Sequence, residues 1–353
     1  MACQRRPTYA GSGCGWGMPQ SRAPHPDDEG GRKMQIGAAA RPADLALGLA
    51  ADPRLAARVA ELEASGAAYA SDLAFMAPAV RDVHRQMAGA HQIHVDDAAK
   101  HTIRPGHNVV DDTFHYADVN QGALDDCWVL APISSIEKAD PGFLARHVSY
   151  DAASDAYKVT LFDEARKPVT IDVANSYVGN GSDLAFAGSD ASKANLASVY
   201  EKAFADYYGT RSGHGDYASI SGGPPAEAMI RMTGETPQWR EVIPNPYDIA
   251  DKGVDGAWLR ERIAHNEPTV LTTTGDGITD LDPIVPRHAY PLIDVQDVAG
   301  RDFAVLYNPW GSNPVSAKAA EAIASQLKYD AGHLAIPVED IQRLGNAVTH
   351  LKR

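Results

Sequence analysis

Two apolar segments near the carboxyl terminus, "HAYPLIDVQDV" and "DFAVLYNP", are separated only by the short turn "AGR". Apolar runs joined by so short a turn predict two adjacent antiparallel strands. Because a hairpin brings its outer ends together, His288 at one end and Asn308 at the other are expected side by side. The fold must therefore contain a sheet that carries an imidazole and an amide on neighbouring strands.

Helical and strand patterns follow one another through the rest of the chain. A helix is expected to begin near Asp126, a hairpin to form from "AYKVTLFD" and "KPVTIDVA", and the helix "ASVYEKAFADYYG" to end at Gly209. Beyond a boundary near Gly234 we expect a helix at "GAWLRERIAHN" and a strand at "PTVLTTT". These patterns predict an α+β protein with a helical first half and a strand-rich second half.

Composition restricts the partners and the compartment. The 32 basic and 46 acidic side chains give a net charge of −14, which repels phosphate backbones and argues against a nucleic-acid partner. No apolar run approaches the roughly 20 residues that a membrane span needs, so no membrane partner is expected. The first residues lack the apolar stretch of a secretory signal, and three cysteines form no disulfide framework. A cytoplasmic protein is therefore expected.

Cys127, the only cysteine in the body of the chain, stands at a predicted helix start with Asp126 as the N-cap. A helix N-terminus supports a thiolate through its partial positive charge and its free N–H groups. His288 would supply the general base, and Asn308 an amide that orients the imidazole ring. Each residue alone is more simply explained as a core or structural residue, but their joint occurrence in this order favours a catalytic triad.

Two further side chains complete the predicted catalytic centre. Trp310, in "YNPWG", is expected to shield the hydrogen bond between Asn308 and His288 from water. Gln121, in "VNQGALDDCW", offers a side-chain N–H that, together with the backbone N–H of Cys127, would hold an oxyanion.

Five stretches of the chain together resemble the core of calpain-type cysteine proteases. They are "DVNQGALDDCW", "YEKAFADYYG", "SISGG", "RHAYPLIDV" and "YNPWG", in consistent order from Asp118 towards the carboxyl terminus. The resemblance implies a two-lobed papain-like fold, with a helical lobe at residues 101–234 and a β-rich lobe at residues 235–353. It also implies that Gly222 and Gly223 line the cleft, where any side chain would obstruct the substrate.

By the same resemblance, the chain is a cysteine endopeptidase that cleaves a protein or peptide substrate through a thioester acyl-enzyme. Two alternatives stay open: a catalytically silent core that binds peptides through the same cleft, and a papain-fold acyltransferase. Residues 1–41 are expected to form a disordered head and residues 42–100 a helical extension. The extension either regulates access to the cleft or simply packs beside it.

Two departures from the family pattern bear on activity. Asp125 replaces a glycine shortly before the cysteine. It would be strained if that turn needs positive φ, and its carboxylate would raise the pKa of the Cys127 thiol. Pro132 is expected to kink the nucleophile helix.

The resemblance also raises the question of calcium, which calpain cores bind in each lobe. Asp118 matches one ligand position of the first site, but Ala194 stands where an acidic ligand is expected. The acidic loop with Asp276, Asp280 and Asp282 is more simply explained as a solvated turn. The predicted chemistry requires no cofactor, and Asp118 is the one candidate metal ligand.

Overall fold

The computed structural model describes residues 102–105, 107–180, 183–189, 193–209, 217–243, 253–275 and 278–353. The predictions for residues 1–41 and 42–100 lie outside these ranges. Within them, the expected mixture of helices and strands is confirmed. No helix in these ranges is long and apolar enough to cross a membrane.

The α-helices of the described residues are α1 Cys127–Ala139, α2 Phe143–Arg146, α3 Leu196–Tyr208, α4 Pro225–Thr233, α5 Gly256–Ala264, α6 Lys318–Gln326 and α7 Val338–Leu344. The strands are β1 Thr102–Ile103, β2 Val148–Asp151, β3 Ala156–Phe162, β4 Pro168–Ala174, β5 Tyr177–Asn180, β6 Asp183–Leu184, β7 Gln238–Glu241, β8 Thr269–Thr273, β9 Ala289–Val298, β10 Arg301–Tyr307, β11 His333–Pro337 and β12 Gly345–His350. Short 3₁₀ turns occur at Val109–Asp111, Tyr116–Asp118, Tyr217–Ile220 and Val315–Ala317.

A six-stranded antiparallel sheet organises the second half of the chain. Its strand order is β11-β10-β9-β8-β12-β7. The predicted terminal hairpin is confirmed as β9 and β10, which turn at Ala299 and Gly300 with φ values of 56° and 84°. Positive φ at both turn positions suits the right-handed twist of the flanking strands. The open end of the hairpin therefore brings together the residue before β9, His288, and the residue after β10, Asn308.

The strand β12 lies inside this sheet, between β8 and β7. The sequence analysis did not predict it, nor α4, α6, α7 and β11. The segment "GNAVTH" is short and follows α7 directly, so its local pattern carries little strand signal. Its place is decided by pairing with β8 and β7, which precede it by many residues.

A separate three-stranded sheet, β2-β3-β4, lies in the first half of the chain. The predicted hairpin of β3 and β4 is confirmed, and β2 extends it. Tyr157, Val159 and Leu161 alternate along β3 and have no exposed surface, and all three belong to the main hydrophobic core. The alternating apolar pattern that predicted β3 therefore arises because successive side chains point alternately into the core and to the opposite face of the sheet.

The helix α1, which begins at the predicted nucleophile, is buried along most of its length. Leu130, Ile133 and Ile136 have no exposed surface. The helix continues through Pro132 to Ala139, so the proline does not end it. A bend at Pro132 stays a prediction.

The helix α1 is hydrogen-bonded directly to the six-stranded sheet. The Ser135 hydroxyl donates to the Thr269 carbonyl at 3.0 Å and accepts from the Thr269 N–H at 2.5 Å. The main hydrophobic core also joins the two halves, since Trp128 and Phe303 both belong to it. These contacts hold α1 against the sheet whose strand β9 directly follows the predicted base.

Candidate active site

Cys127 is the first residue of α1, and its thiol is buried against the start of β9. The backbone N–H of Ala289, the residue after His288, donates to the sulfur. Met229, Val270 and Ala289 pack in the same small apolar cluster as Cys127. The fold therefore brings the thiol next to the strand that carries His288, although the two residues are far apart in the sequence.

His288 directly precedes β9, Asn308 directly follows β10, and the two side chains lie together at the ends of these inner strands. The His288 Nε2 to Asn308 Oδ1 distance is 2.9 Å, and Oδ1 also accepts from the Trp310 backbone N–H at 3.1 Å. Since Oδ1 is only an acceptor, this arrangement places the proton of the neutral ring on Nε2 and leaves Nδ1 unprotonated. The amide therefore selects the tautomer that a general base needs.

Two aromatic rings, those of Tyr290 and Trp310, pack against the imidazole of His288. Its ring centroid lies 4.8 Å from that of Tyr290 at an interplanar angle of 87°, and 4.9 Å from that of Trp310 at 49°. Asn308 is fully buried, and Trp310 is half-buried. The indole thus lies beside the imidazole ring, and shielding of the hydrogen bond between His288 and Asn308 by Trp310 stays a prediction.

Thr273, at the end of β8, fixes the backbone of His288. The Thr273 hydroxyl accepts from the His288 N–H at 2.9 Å and donates to the Val285 carbonyl at 2.7 Å. The Thr273 N–H donates to the His288 carbonyl at 2.9 Å. The sequence analysis missed this residue, because "PTVLTTT" carries a strand signal but nothing that pairs one particular threonine with a histidine.

Burial sets the ionisation of both reactive groups. It raises the pKa of the Cys127 thiol to about 12, and the charges of Asp126 and Asp125 act in the same direction. Burial also lowers the pKa of His288 to about 4, against the opposing effect of the Asn308 hydrogen bond. The N-terminus of α1 was expected to favour the thiolate; in the structure desolvation is the larger effect, and it favours the neutral form of both groups.

Gln121 is tied to the segment that follows β10. Its backbone N–H donates to the Pro309 carbonyl at 2.8 Å, and its side-chain amide donates to the Leu124 carbonyl at 2.5 Å. The residue is 2% exposed, and its Oε1 has no hydrogen-bond partner among the described residues. One of its two amide N–H groups is thus engaged, and an oxyanion would need the other.

The loop with Gly222 and Gly223 packs against the start of α1. Gly222 has a φ of 78°, and its N–H donates to the Asp125 carbonyl at 2.8 Å. A Cβ on Gly223 would lie 2.6 Å from ring atoms of Trp128. The sequence analysis explained these glycines by room for substrate; at Gly223 the structure shows a second reason, the Trp128 ring itself.

Asp125 does not carry the strain that the sequence analysis considered, because its φ is not positive. The positive φ of this turn falls on Gly122, at 65°, where a Cβ would lie 2.7 Å from the Phe186 carbonyl oxygen. Asp125 is exposed. Its effect is therefore electrostatic, and it raises the pKa of Cys127 as expected.

Comparison with known proteins supplies the deciding observation. A sequence model of the calpain family of cysteine proteases matches residues 92–323, more than half of the chain. The chain belongs to the calpain family of cysteine proteases. All five motifs of the predicted resemblance lie inside the matched region, so this prediction is confirmed.

This calpain-family chain is only distantly similar in sequence to individual calpains, with identities of 25–27% for three of them. The chain is 26% identical over 205 residues to the calpain-2 catalytic subunit of Bos taurus, a match to 55% of the chain and 28% of the relative. For the calpain-2 catalytic subunit of Gallus gallus the identity is 27% over 205 residues, with the same shares. For calpain-B of Drosophila melanogaster it is 25% over 236 residues, 60% of the chain and 24% of the relative. These matches span about a quarter of the length of the curated relatives.

The acidic residues considered for calcium have other partners. The Asp118 carboxylate accepts from the His115 N–H at 2.6 Å, which closes a 3₁₀ turn. Asp282 accepts from the Thr279 N–H at 2.7 Å and pairs with Arg343 at 2.7 Å. The described residues contain no group of three or more histidine, cysteine, aspartate or glutamate side chains that could hold a metal. Asp276 lies outside them.

Proposed function

We propose that this calpain-family chain is a cysteine endopeptidase with Cys127 as nucleophile, His288 as general base and acid, and Asn308 as the residue that orients His288. The observation that best supports the proposal is the 2.9 Å hydrogen bond from His288 Nε2 to Asn308 Oδ1, since His288 directly precedes Ala289, whose backbone N–H donates to the Cys127 thiol. It leaves the second ring nitrogen available to a thiol.

In the proposed mechanism, Nδ1 of His288 takes the thiol proton, and the Cys127 sulfur forms a bond to the scissile carbonyl carbon. The resulting oxyanion accepts hydrogen bonds from the free amide N–H of Gln121 and the backbone N–H of Cys127. The imidazolium then gives its proton to the leaving amine as the C–N bond breaks, which leaves a thioester. His288 removes a proton from water, which attacks the thioester and releases a carboxylic acid product and the thiol.

The neutral, buried state of Cys127 and His288 implies a step before chemistry. Burial is the largest cause of both pKa shifts. Entry of substrate and water would therefore lower the pKa of Cys127 and raise that of His288, which favours the thiolate–imidazolium pair. We infer that residues 101–234 and 235–353 act as two lobes that separate enough to admit a peptide between them. Gly222 and Gly223 then lie beside the substrate backbone.

Every group in this mechanism is a side chain or backbone group of the chain, so we propose that hydrolysis needs no cofactor. Asp118 is the one ligand candidate for calcium, and it would have to exchange its hydrogen bond with the His115 N–H. A peptide or protein substrate, a cytoplasmic location and the lack of a nucleic-acid partner stay predictions of the sequence.

A catalytically silent, peptide-binding core is the second candidate, favoured by the raised pKa and burial of the Cys127 thiol. This candidate predicts peptide binding without turnover. Substitution of Cys127 by serine would then leave the affinity for peptides unchanged.

Cleavage of casein by the full chain tests the leading proposal. We expect the substitutions Cys127→Ala and His288→Ala to lower kcat by about 10³-fold or more, and Asn308→Ala by about 10-fold to 100-fold with little change in KM. Asn313→Ala is the matched control, because Asn313 bonds Glu321 and the His333 carbonyl instead of His288. Unchanged cleavage by Cys127→Ala would exclude the proposed nucleophile, and absence of wild-type cleavage with retained peptide binding would favour the silent core.

A further inference from the structure

The side chain of Asp126 turns away from the helix that it precedes. Asp126 occupies the N-cap position of α1, yet its carboxyl group makes no capping hydrogen bond. It has no exposed surface, and within the described ranges no N–H or hydroxyl group of another residue donates to either of its oxygens. An ionised carboxylate that is buried without a donor is strongly unfavourable.

The group that the Asp126 carboxyl meets is a second carboxyl, that of Glu201 on α3. Glu201 is 1% exposed, and each of its oxygens lies 3.1 Å from the Ala187 N–H. A carboxylate can only accept hydrogen bonds, so two carboxyl groups bond to each other only when one carries a proton. This pairing therefore holds at least one proton.

We propose that Asp126 and Glu201 form a proton-sharing carboxyl pair that positions Cys127 and keeps negative charge away from its thiolate. The inference rests on the proposed role of Cys127 as nucleophile. With its proton in place, the pair leaves the partial positive charge of the α1 N-terminus to the sulfur. Once ionised, Asp126 places a like charge beside the thiolate and opposes its formation.

The groups around the pair favour its protonated form. Burial is the largest cause of the raised pKa of both carboxyls, and the charge of Asp126 raises the pKa of Glu201 further. Asp125 adds negative charge on the Asp126 side, and Tyr217 is close enough for the charges of Glu201 and Asp126 to raise its own pKa, after burial as the largest cause.

The nearest basic side chain in the sequence does not neutralise the pair. Lys202 follows Glu201, but its ammonium donates to the carbonyls of Ala174 and Ser176 at 3.0 and 2.6 Å. Asp206, further along α3, is another acidic side chain near Tyr217 and so cannot neutralise the pair. A shared proton is thus the available means of lowering the charge of the two carboxyls from −2 to −1.

Two amide substitutions separate this role from simple packing, because they should change the Cys127 thiol in opposite directions. In Glu201→Gln, the new amide donates to Asp126 and fixes a charge beside the sulfur, which slows alkylation. In Asp126→Asn, any remaining negative charge lies on Glu201, which is further from the sulfur than Asp126 is. The thiolate then forms more easily, which speeds alkylation. We expect about a 10-fold difference between the two variants at neutral pH, corresponding to about one pKa unit of the thiol.

The measurement is the rate of iodoacetamide labelling of Cys127 in the full chain, followed by peptide mass spectrometry across a range of pH. Asp125→Asn is the matched control, since it removes a neighbouring but exposed carboxylate and should change the rate less than either variant. Opposite changes in the two variants, with loss of the alkaline step of the wild-type pH profile, support the pair. Equal changes in one direction, or unchanged rates, overturn it.

Infrared spectroscopy of the wild-type chain tests the shared proton even if an amide variant fails to fold. A protonated carboxyl band at neutral pH that shifts with ¹³C-labelled aspartate and persists in Glu137→Gln supports the pair, and absence of such a band overturns it. Glu137 is a suitable control because it is a buried carboxyl on the same helix with its own donors, Gly142 and Leu144. Neither readout depends on peptide cleavage, so failure of the pair and failure of the proposed function are distinguishable.

Discussion

At the scale of single residues, the chemistry of the candidate site depends on burial more than on charge. Cys127 and His288 are both buried, and desolvation is the largest cause of the shift in each pKa. The Asn308 hydrogen bond and the N-terminus of α1 act in the direction that catalysis needs, but they do not outweigh desolvation. Desolvation therefore favours the neutral forms of Cys127 and His288, and under the proposed function entry of water or substrate would reverse this effect.

The lowered pKa of His288 makes a prediction about acid stability. Its pKa is about 4 in the folded chain and about 6.5 when unfolded, so between these values protons bind preferentially to the unfolded state. The free energy of unfolding that comes from His288 is therefore fully present above pH 6.5 and lost as the pH falls towards 4. We expect His288→Asn to lose about 2 kcal/mol less stability than the wild type between pH 7 and pH 5.

Urea unfolding at the two pH values measures this difference. His265→Asn is the control, because His265 is an exposed residue at the end of α5. If His288→Asn and the wild type lose equal stability on acidification, the imidazole is not held neutral by burial.

At the scale of elements, the start of α1 is shaped by segments that are remote in the sequence. The Trp128 Nε1 donates to the Ile220 carbonyl at 2.7 Å, and the ring lies directly against Gly223. The turn before the helix bonds to the same loop, through the Gly222 N–H and the Asp125 carbonyl. The loop with the two glycines therefore supports the nucleophile helix as well as facing the proposed cleft.

Gly223→Ala should disturb both roles at once. The new Cβ would lie 2.6 Å from the Trp128 ring, so the indole or the loop must shift. We expect a loss of about 1–3 kcal/mol in the free energy of unfolding and a fall in kcat. Gly300→Ala serves as control: its φ of 84° also disfavours a side chain, but nothing lies within 4 Å of its added Cβ, so about 1 kcal/mol is expected without an effect on kcat. An equal effect of both variants on kcat would show that the Trp128 contact is irrelevant to the site.

At the scale of the whole molecule, hydrogen bonds between the two halves hold the candidate site together. The Tyr307 hydroxyl lies 2.7 Å from both the Ala117 and the Val119 carbonyls. Gln121 is attached to the Pro309 carbonyl close by. The segment that leads to the proposed oxyanion donor is thus positioned by the end of β10 in addition to its own local hydrogen bonds.

Tyr307→Phe tests this connection. It removes the one O–H that the Ala117 and Val119 carbonyls share, so we expect about 1–2 kcal/mol less stability. We also expect a several-fold lower kcat, because the segment just before Gln121 loses this anchor. Tyr329→Phe is the matched control, because its hydroxyl bonds Asp294 within the same half of the chain. We expect that variant to lose stability with kcat unchanged. If Tyr307→Phe also leaves kcat unchanged in casein cleavage, the connection between the halves does not position the oxyanion donor.

The sequence by itself determined the features that depend on short stretches of chain. A hairpin with a short turn must bring His288 near Asn308, and an apolar helical pattern after Asp126 must begin a helix at Cys127. Periodicity and turn chemistry act over a few residues, so they can be recognised without coordinates.

Only the tertiary structure decided the environment of those residues. The pairing of Asp126 with Glu201, the support of His288 by Thr273 and the place of β12 inside the sheet all join segments distant in the sequence. Desolvation of Cys127 likewise depends on which remote side chains pack over it. The physical reason is that burial and pairing are sums over neighbours in space, and a local pattern does not specify those neighbours.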